Sequence, residues 1–241
     1  MTDGAPVGRN NLAVRAAAAL VMAPLALAVT WWGGWPFVVF WMAAGIVVFI
    51  EWTALTVHSS AGGAAWVGRR WLWILAGLVY AVLLVLATVV LRLDSTAGLV
   101  GILFLFAVVW MTDVAAYFAG RALQGPKLWP KVSPNKTWSG AIGGAVAGTA
   151  GGVAVAAAGG FGAIAAVVAV AFILSLVSQA GDLAESALKR RFGVKDASLL
   201  IPGHGGLLDR LDGFAAAVVV AALLGIWRGG LEAPALGLLE W

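Results

Sequence analysis

Long apolar stretches alternate with short polar segments along the whole chain. A helix needs about 20 apolar residues to cross the roughly 30 Å hydrocarbon core of a bilayer. Seven stretches approach or reach that length, at approximately Leu12–Thr30, Pro36–Leu55, Leu72–Leu91, Ala97–Gly120, Gly140–Gly159, Phe161–Ala180 and Gly213–Trp227. The pattern predicts an all-α fold, a polytopic transmembrane helical bundle of about seven spans.

No polar linker or block of charge divides the chain, so we predict a single integral membrane domain over residues 1–241. The first stretch follows Arg9 and could also be a signal peptide. Its length, and the second stretch that follows at once, favour a span. Gly143, Gly144, Gly148, Gly151 and Gly152 suit close packing between helices in lipid.

Composition excludes a soluble protein. The chain is 62% hydrophobic and only 11% charged, whereas soluble domains are about 45–50% apolar and about 25% charged. The excess apolar surface must face lipid. Cysteine is absent from the sequence, which excludes disulfides and thiolate metal sites.

The basic residues predict the orientation. With a cytoplasmic N-terminus and seven spans, 13 of the 15 basic residues fall on the cytoplasmic side. They are Arg9, Arg15, Arg69, Arg70, Arg121, Lys127, Lys131, Lys136, Lys189, Arg190, Arg191, Lys195 and Arg210. Only Arg92 and Arg228 fall on the other side. This bias predicts a multi-pass protein of the bacterial inner membrane with its polar loops, at about 121–139 and 181–212, in the cytoplasm.

The second polar loop carries the densest candidate chemistry. If it is helical, Asp182, Glu185 or Ser186, and Lys189 share one face, as do Asp209 and Asp212. Paired carboxylates without cysteine suit a hard cation such as Mg²⁺, and the interleaved Lys and Arg suit phosphate oxygens. Gly203, Gly205 and Gly206 would let backbone amides approach a phosphate. The plainer interpretation is a solvated loop whose charges only anchor the flanking helices. His204 taken alone is a weak signal of catalysis.

Three further features of the sequence bear on function. Asp113 lies near the cytoplasmic end of an apolar span, where an ionisable group suggests function, and Tyr117 follows one turn later. Glu51 also lies near a span end, but its position alone favours a role less strongly. The tryptophans near predicted interfaces are typical of an aromatic belt.

Two motif blocks resemble the phosphatidate cytidylyltransferase family. From Ser186 to Asp212 the chain matches the pattern S-x-hydrophobic-K-R, then K-D, P, H-G-G and D-R-x-D. Residues 113–121 are similar to the family's D-x-x-A-Y-x-x-G-R, and residues 133–138 to its S-P-K-K-T-W. Asn135 departs from a common lysine and Ser139 from a common glutamate, which puts substrate affinity and the role of this loop in doubt. The blocks and their flanking spans cover about half of the chain, and the N-terminal spans resemble the family only in hydropathy.

The resemblance implies Mg²⁺-dependent attack by the phosphate of phosphatidic acid on the α-phosphorus of CTP, with pyrophosphate leaving. It implies Asp182, Asp209, Glu185 and Asp212 as metal ligands, and a second, monovalent cation beside Mg²⁺. The catalytic candidates are Asp182, Asp209, Lys189, His204 and Asp212. The substrate-binding candidates are Ser133, Lys136, Thr137, Arg190, Lys195, Gly205, Gly206, Arg210, Asp113 and Tyr117. The site should lie in a polar cavity facing the cytoplasm.

The expected partners are CTP, phosphatidic acid and the lipid bilayer, with no nucleic acid, and the resemblance also implies a homodimer. One alternative is a CTP-dependent polyprenol or dolichol kinase, which would transfer the γ-phosphoryl group instead. The other is a transporter, for which charges at mid-span and broken helices would be expected. The CDP-alcohol phosphatidyltransferases are excluded, because their D-G-x-x-A-R motif is absent.

Overall fold

The fold is a bundle of long helices. The computed structural model describes residues 7–57, 70–194, 197–198 and 205–241, and the side chains within these ranges from residue 20 onward, except that of Val57. The helices in this part of the chain are α1 (Val7–Trp32), α2 (Gly34–Val57), α3 (Arg70–Leu93), α4 (Gly98–Leu123), α5 (Trp138–Ala158), α6 (Ile164–Arg191), α7 (Leu208–Gly229) and α8 (Pro234–Leu239). The predicted all-α polytopic bundle is confirmed.

Six of these helices, α2 to α7, are long and apolar enough to cross a membrane. The predicted first span corresponds to α1, whose described apolar part, Leu20–Trp32, is shorter than a full span. Large apolar side chains such as Leu86, Ile142 and Leu223 are exposed on the outer surface of the bundle. Lipid would cover such a surface, so the chain is a multi-pass integral membrane protein.

The interior is closely packed, above all between α4 and α5. A Cβ atom on Gly144 would lie 2.8 Å from the backbone oxygen of Thr112, and one on Gly140 would lie 2.7 Å from that of Ala116. Only glycine permits this approach, which confirms the predicted packing role of the glycine-rich stretch. At mid-helix the buried hydroxyls of Thr112 and Ser175 lie 2.6 Å apart and share a hydrogen bond.

Both predicted polar loops contain regular structure. Residues 121–139 include an antiparallel hairpin of β1 (Lys127–Trp129) and β2 (Ser133–Thr137). The segment predicted as a loop at 181–212 is partly helical, because α6 continues to Arg191 and α7 begins at Leu208. The end of α6 is closed by Gly193, at φ 72°, whose N–H donates to Arg190 O at 3.1 Å. The last turn of α6 is basic, and its positive charges interact favourably with the negative, C-terminal end of the helix dipole.

Successive helices alternate in direction, so the bundle has two distinct ends. We call the end where α4 and α6 finish and α5 and α7 begin the charged end. At the opposite end, the buried Asp94 accepts hydrogen bonds from the N–H groups of Thr96 at 2.8 Å, Ala97 at 3.0 Å and Leu236 at 2.8 Å. Burial raises the pKa of the Asp94 carboxyl, but these backbone donors outweigh burial and leave that pKa below its ordinary value. Asp94 is therefore charged at neutral pH and ties α8 to the start of α4.

Candidate active site

The charged end collects most of the predicted site residues from four elements. Asp113 and Tyr117 come from α4, and Lys136 comes from β2. The end of α6 contributes Asp182, Glu185 and Lys189, and the first turns of α7 contribute Asp209, Arg210 and Asp212. Residues separated by about a hundred positions in sequence thus meet at one end of the bundle. Lys195, Gly203 and His204 lie outside the described residues.

Asp182 is partly exposed to solvent. It forms an ion pair with Lys136 on the hairpin, and their side chains are 33% and 28% exposed. Ser186, one turn further along α6, donates a long hydrogen bond of 3.4 Å to its Oδ1 atom. The hairpin is therefore held to α6 by a contact that a charged ligand could reach.

Four carboxylates from three helices interact electrostatically at the charged end. Asp212 interacts electrostatically with Asp182, Glu185 and Asp113. Asp113 in turn interacts with Asp182 and with the positive charges of Lys136 and Arg210. Such a concentration of negative charge is unfavourable without a counter-ion. The arrangement therefore favours binding of a cation at this point.

Lys189 lies in a buried triad beside this cluster. Its Nζ atom is 2.7 Å from Glu185 Oε2 and 2.5 Å from Asp209 Oδ1. The three side chains are only 12%, 5% and 7% exposed respectively. The predicted shared face of α6 is present, but the Lys189 ammonium is committed to two carboxylates and joins α6 to α7.

Asp209 has protein partners on both carboxylate oxygens. Besides Lys189, it accepts the N–H of Gly206 at 2.7 Å and the N–H of Ala197 at 3.0 Å. The expected metal ligand Asp209 therefore organises the chain that leads into α7. The Gly206 amide, expected to approach a phosphate, donates within the protein.

Glu51 is the residue that sequence reasoning undervalued. It lies in α2 and is 3% exposed. Its carboxylate accepts the hydroxyl of Ser198 at 2.6 Å and the N–H groups of Leu207 at 3.0 Å and Leu208 at 2.7 Å. The only signal in sequence was an ionisable residue near a span end, because its partners are about 150 positions away.

The remaining substrate-binding candidates have mixed surroundings. Thr137 is the N-cap of α5 and accepts the Gly140 N–H at 3.1 Å. Tyr117 accepts a 2.5 Å hydrogen bond from Arg121, and Arg190 donates to Val132 O at 3.3 Å. Ser133 begins β2 and is half-buried. Gly205 adopts a φ of 80°, a left-handed conformation that favours glycine.

The chemistry of the cluster fits a hard divalent cation, since its donors are carboxylate oxygens without thiolates. Among the described residues, no group of three or more His, Asp or Glu side chains is placed to hold a metal by itself. Mg²⁺ at nucleotide sites is commonly bound by one or two carboxylates together with substrate phosphates and water. Asp182, which pairs with Lys136, and Asp212, which interacts electrostatically with Asp182, could supply these one or two carboxylates.

Comparison with known proteins identifies the class to which this membrane bundle belongs. Residues 63–227 match the model of the cytidylyltransferase family. Since the match covers more than half of the chain, the chain belongs to this family, and the resemblance found in sequence is confirmed.

Individual relatives agree with this assignment. A phosphatidate cytidylyltransferase of Brucella suis biovar 1 (strain 1330) is 44% identical over an alignment 257 residues long. The alignment covers 90% of this chain and 94% of the relative. A phosphatidate cytidylyltransferase of Staphylococcus saprophyticus subsp. saprophyticus is 47% identical over 118 residues, or 48% of this chain and 45% of the relative. The similarity to the Brucella protein extends through nearly the whole length of both chains.

Proposed function

We propose that the charged end is the active site at which this enzyme transfers the cytidylyl group of CTP to phosphatidic acid and releases pyrophosphate. The observation that carries this proposal is the meeting of Asp113, Asp182 and Asp212 with Lys136 and Arg210. Carboxylates and fixed cations side by side can bind a metal–triphosphate and counter the charge that develops on its phosphorus and leaving group.

We assign the protein share of a Mg²⁺ site to Asp182 and Asp212. When bound, Mg²⁺ would neutralise triphosphate charge and polarise the phosphoryl oxygens. Asp209 and Glu185 both pair with Lys189 and so connect the two helices, α6 and α7, that carry this pair. A second, monovalent cation stays an expectation from the resemblance.

The basic side chains bind and orient the phosphates. Lys136 lies on the hairpin and is partly exposed, so it can exchange its contact with Asp182 for a phosphate oxygen. Arg210, on α7, brings a second positive charge close enough to interact with Asp113. Together they would hold CTP between the hairpin and α7, with the lipid phosphate on the adjoining side.

The chemical step needs no nucleophile from the protein. An oxygen of the phosphatidic acid phosphate forms a bond to the α-phosphorus of CTP, and the bond from that phosphorus to the β-phosphate oxygen breaks. The electron pair leaves with pyrophosphate, beside the positive charges of Lys136 and Arg210. Orientation and electrostatic stabilisation supply most of the rate enhancement.

A turnover assay tests the reaction. Purified chain in lipid–detergent micelles receives phosphatidic acid, Mg²⁺ and CTP labelled at the α-phosphate. We expect the label in a CDP-lipid, pyrophosphate in equal amount, and loss of turnover when a chelator removes divalent cations. Label that stays in CDP while a lipid alcohol gains phosphate would favour the lipid kinase. Absence of turnover with all lipids and cations tried would favour the transporter.

We further propose that the charged end opens as a polar cavity to the cytoplasm of a bacterial inner membrane. The bias of basic residues supports this orientation. Since the chain has no cysteine, single cysteines can report it directly. Lys131→Cys should react with an impermeant thiol reagent only from the cytoplasmic side, and Glu232→Cys only from the other side. The reverse pattern would contradict the proposal.

We also propose a homodimer, which the family resemblance implies. Cross-linking in native membranes should then give a species of twice the chain mass, and a monomer alone at all cross-linker concentrations would count against it.

A further inference from the structure

The second helix carries a buried carboxylate that belongs to neither motif block. Glu51 lies outside residues 63–227, the part of the chain that the family model matches. It is 3% exposed, and among the described residues it accepts from Ser198, which follows α6, and from Leu207 and Leu208 at the start of α7. A buried charge in a membrane helix is unfavourable unless it is fully paired, so this arrangement calls for a specific explanation.

Two carboxylates bind described residues on both sides of the segment between α6 and α7. Glu51 accepts from Ser198 on one side and from Leu207 and Leu208 on the other. Asp209 accepts from Ala197 and Gly206, flanking the same interval. Along the chain, the donors to Asp209 alternate with the donors to Glu51. Each carboxylate therefore helps to fix the backbone that the other one binds.

Gly206 shows how closely the chain fits around Glu51. A Cβ atom at this position would lie 2.7 Å from Glu51 Oε2 and 2.9 Å from Oε1. The described backbone of Gly206 does not have a positive φ, so the requirement for glycine here arises from the Glu51 carboxylate and not from backbone conformation.

We infer that Glu51 is a positioning residue for the transfer reaction. By binding the first two N–H groups at the start of α7, its carboxylate sets the place of that helix relative to α6. The position of α7 decides where Arg210 and Asp212 stand relative to Asp182 and Lys136. A negative charge is favourable at a helix N-terminus, and the three charge-assisted hydrogen bonds of Glu51 fix the orientation of its carboxylate. This inference rests on the proposed active site at the charged end.

The Glu51→Gln variant tests the inference. The glutamine side chain keeps the volume but replaces one acceptor oxygen with an NH₂ group, which leaves a backbone N–H of Leu207 or Leu208 without an acceptor. Small displacements of reacting groups lower rates by up to about a hundredfold. We expect kcat for CDP-lipid formation to fall roughly 10–100-fold, with a much smaller change in the KM for CTP.

Asp94→Asn is the matched control. Asp94 is also a buried carboxylate that accepts three backbone N–H groups, but it lies at the opposite end of the bundle. Both variants should unfold at a lower temperature in the same micelles. Only Glu51→Gln should lose kcat per folded molecule. Loss of thermal stability in both variants with wild-type kcat in both would overturn the inference and leave Glu51 a stabilising residue only.

A second variant keeps the test decisive if Glu51→Gln does not fold. Gly206→Ala leaves the carboxylate in place but forces it and the chain apart, and should lower kcat by a similar factor. If the two positions act through one contact, the double variant will be no slower than the slower single variant. Effects that multiply would contradict the inference. Failure of the wild-type chain to form CDP-lipid would instead refute the proposed function.

Discussion

Replacing Asp212 by asparagine should lower the rate of cytidylyl transfer by roughly 10³-fold while the protein stays folded. Asparagine keeps the oxygen that accepts the Gly213 N–H at 2.7 Å, so the local backbone retains its hydrogen bond. The substitution removes one of the carboxylates that interact electrostatically at the charged end. Removing like charge relieves repulsion, so thermal stability without metal should be unchanged or higher. Activity and stability should therefore change in opposite directions.

The measurement is a turnover assay beside a thermal unfolding curve on the same preparation, with Glu232→Gln as the control. Glu232 is exposed and lies beyond α7, at the opposite end, so its variant should retain the wild-type rate. Asp182→Asn should lower the rate by a similar factor, but it also removes the ion pair with Lys136, so its stability is not expected to rise. A rate within threefold of wild type for Asp212→Asn would contradict the assignment of Asp212 to the metal–triphosphate site.

Hydropathy was enough to predict the architecture. Transmembrane helices must satisfy their backbone hydrogen bonds internally, so each leaves a continuous apolar stretch that can be recognised without knowing its neighbours. The motif blocks likewise identified the family. They placed Asp113 and Asp212 among the candidates, and the charge pattern of the second polar loop added Asp182. The three side chains interact electrostatically at one end of the bundle.

The helix ends were less accessible, because α6 and α7 extend past their apolar stretches into polar sequence. Residues 181–191 and 208–212 are helical although hydropathy assigns them to a loop. A local signal existed for Thr137, since threonine before an apolar helical run is a common N-cap. Its hydroxyl is used within the protein, which the expectation of substrate binding did not include.

Long-range pairing could not be predicted at all. Glu51 bonds to residues 147 to 157 positions away, and Lys189 reaches Asp209 across 20 positions. No periodic pattern records such contacts, since each depends on how separate helices pack. Charged residues in a motif therefore indicated the right region of the molecule. Whether each charged residue stabilises the protein or contacts substrate could be decided only from the structure.

Lys189 separates these two roles most sharply, and Lys189→Met should destabilise the protein by about 3–5 kcal/mol. The variant leaves Glu185 and Asp209 as two buried carboxylates without their shared ammonium. Equilibrium unfolding in mixed micelles measures the change in the free energy of unfolding. Adding Glu185→Gln should restore about half of the loss, because Asp209 keeps its N–H donors from Ala197 and Gly206.

The kinetic result for Lys189→Met distinguishes this structural role from the role that the motif suggested. If Lys189 neutralised the triphosphate, its loss would raise the KM for CTP and leave the unfolding curve near that of the wild type. The 2.5 Å and 2.7 Å contacts to Asp209 and Glu185 favour the opposite outcome. We expect the unfolding transition to shift first, and kcat to recover together with stability in the double variant. Since Asp209 also holds the start of α7, recovery of both quantities together would show that the triad acts on catalysis through the position of that helix.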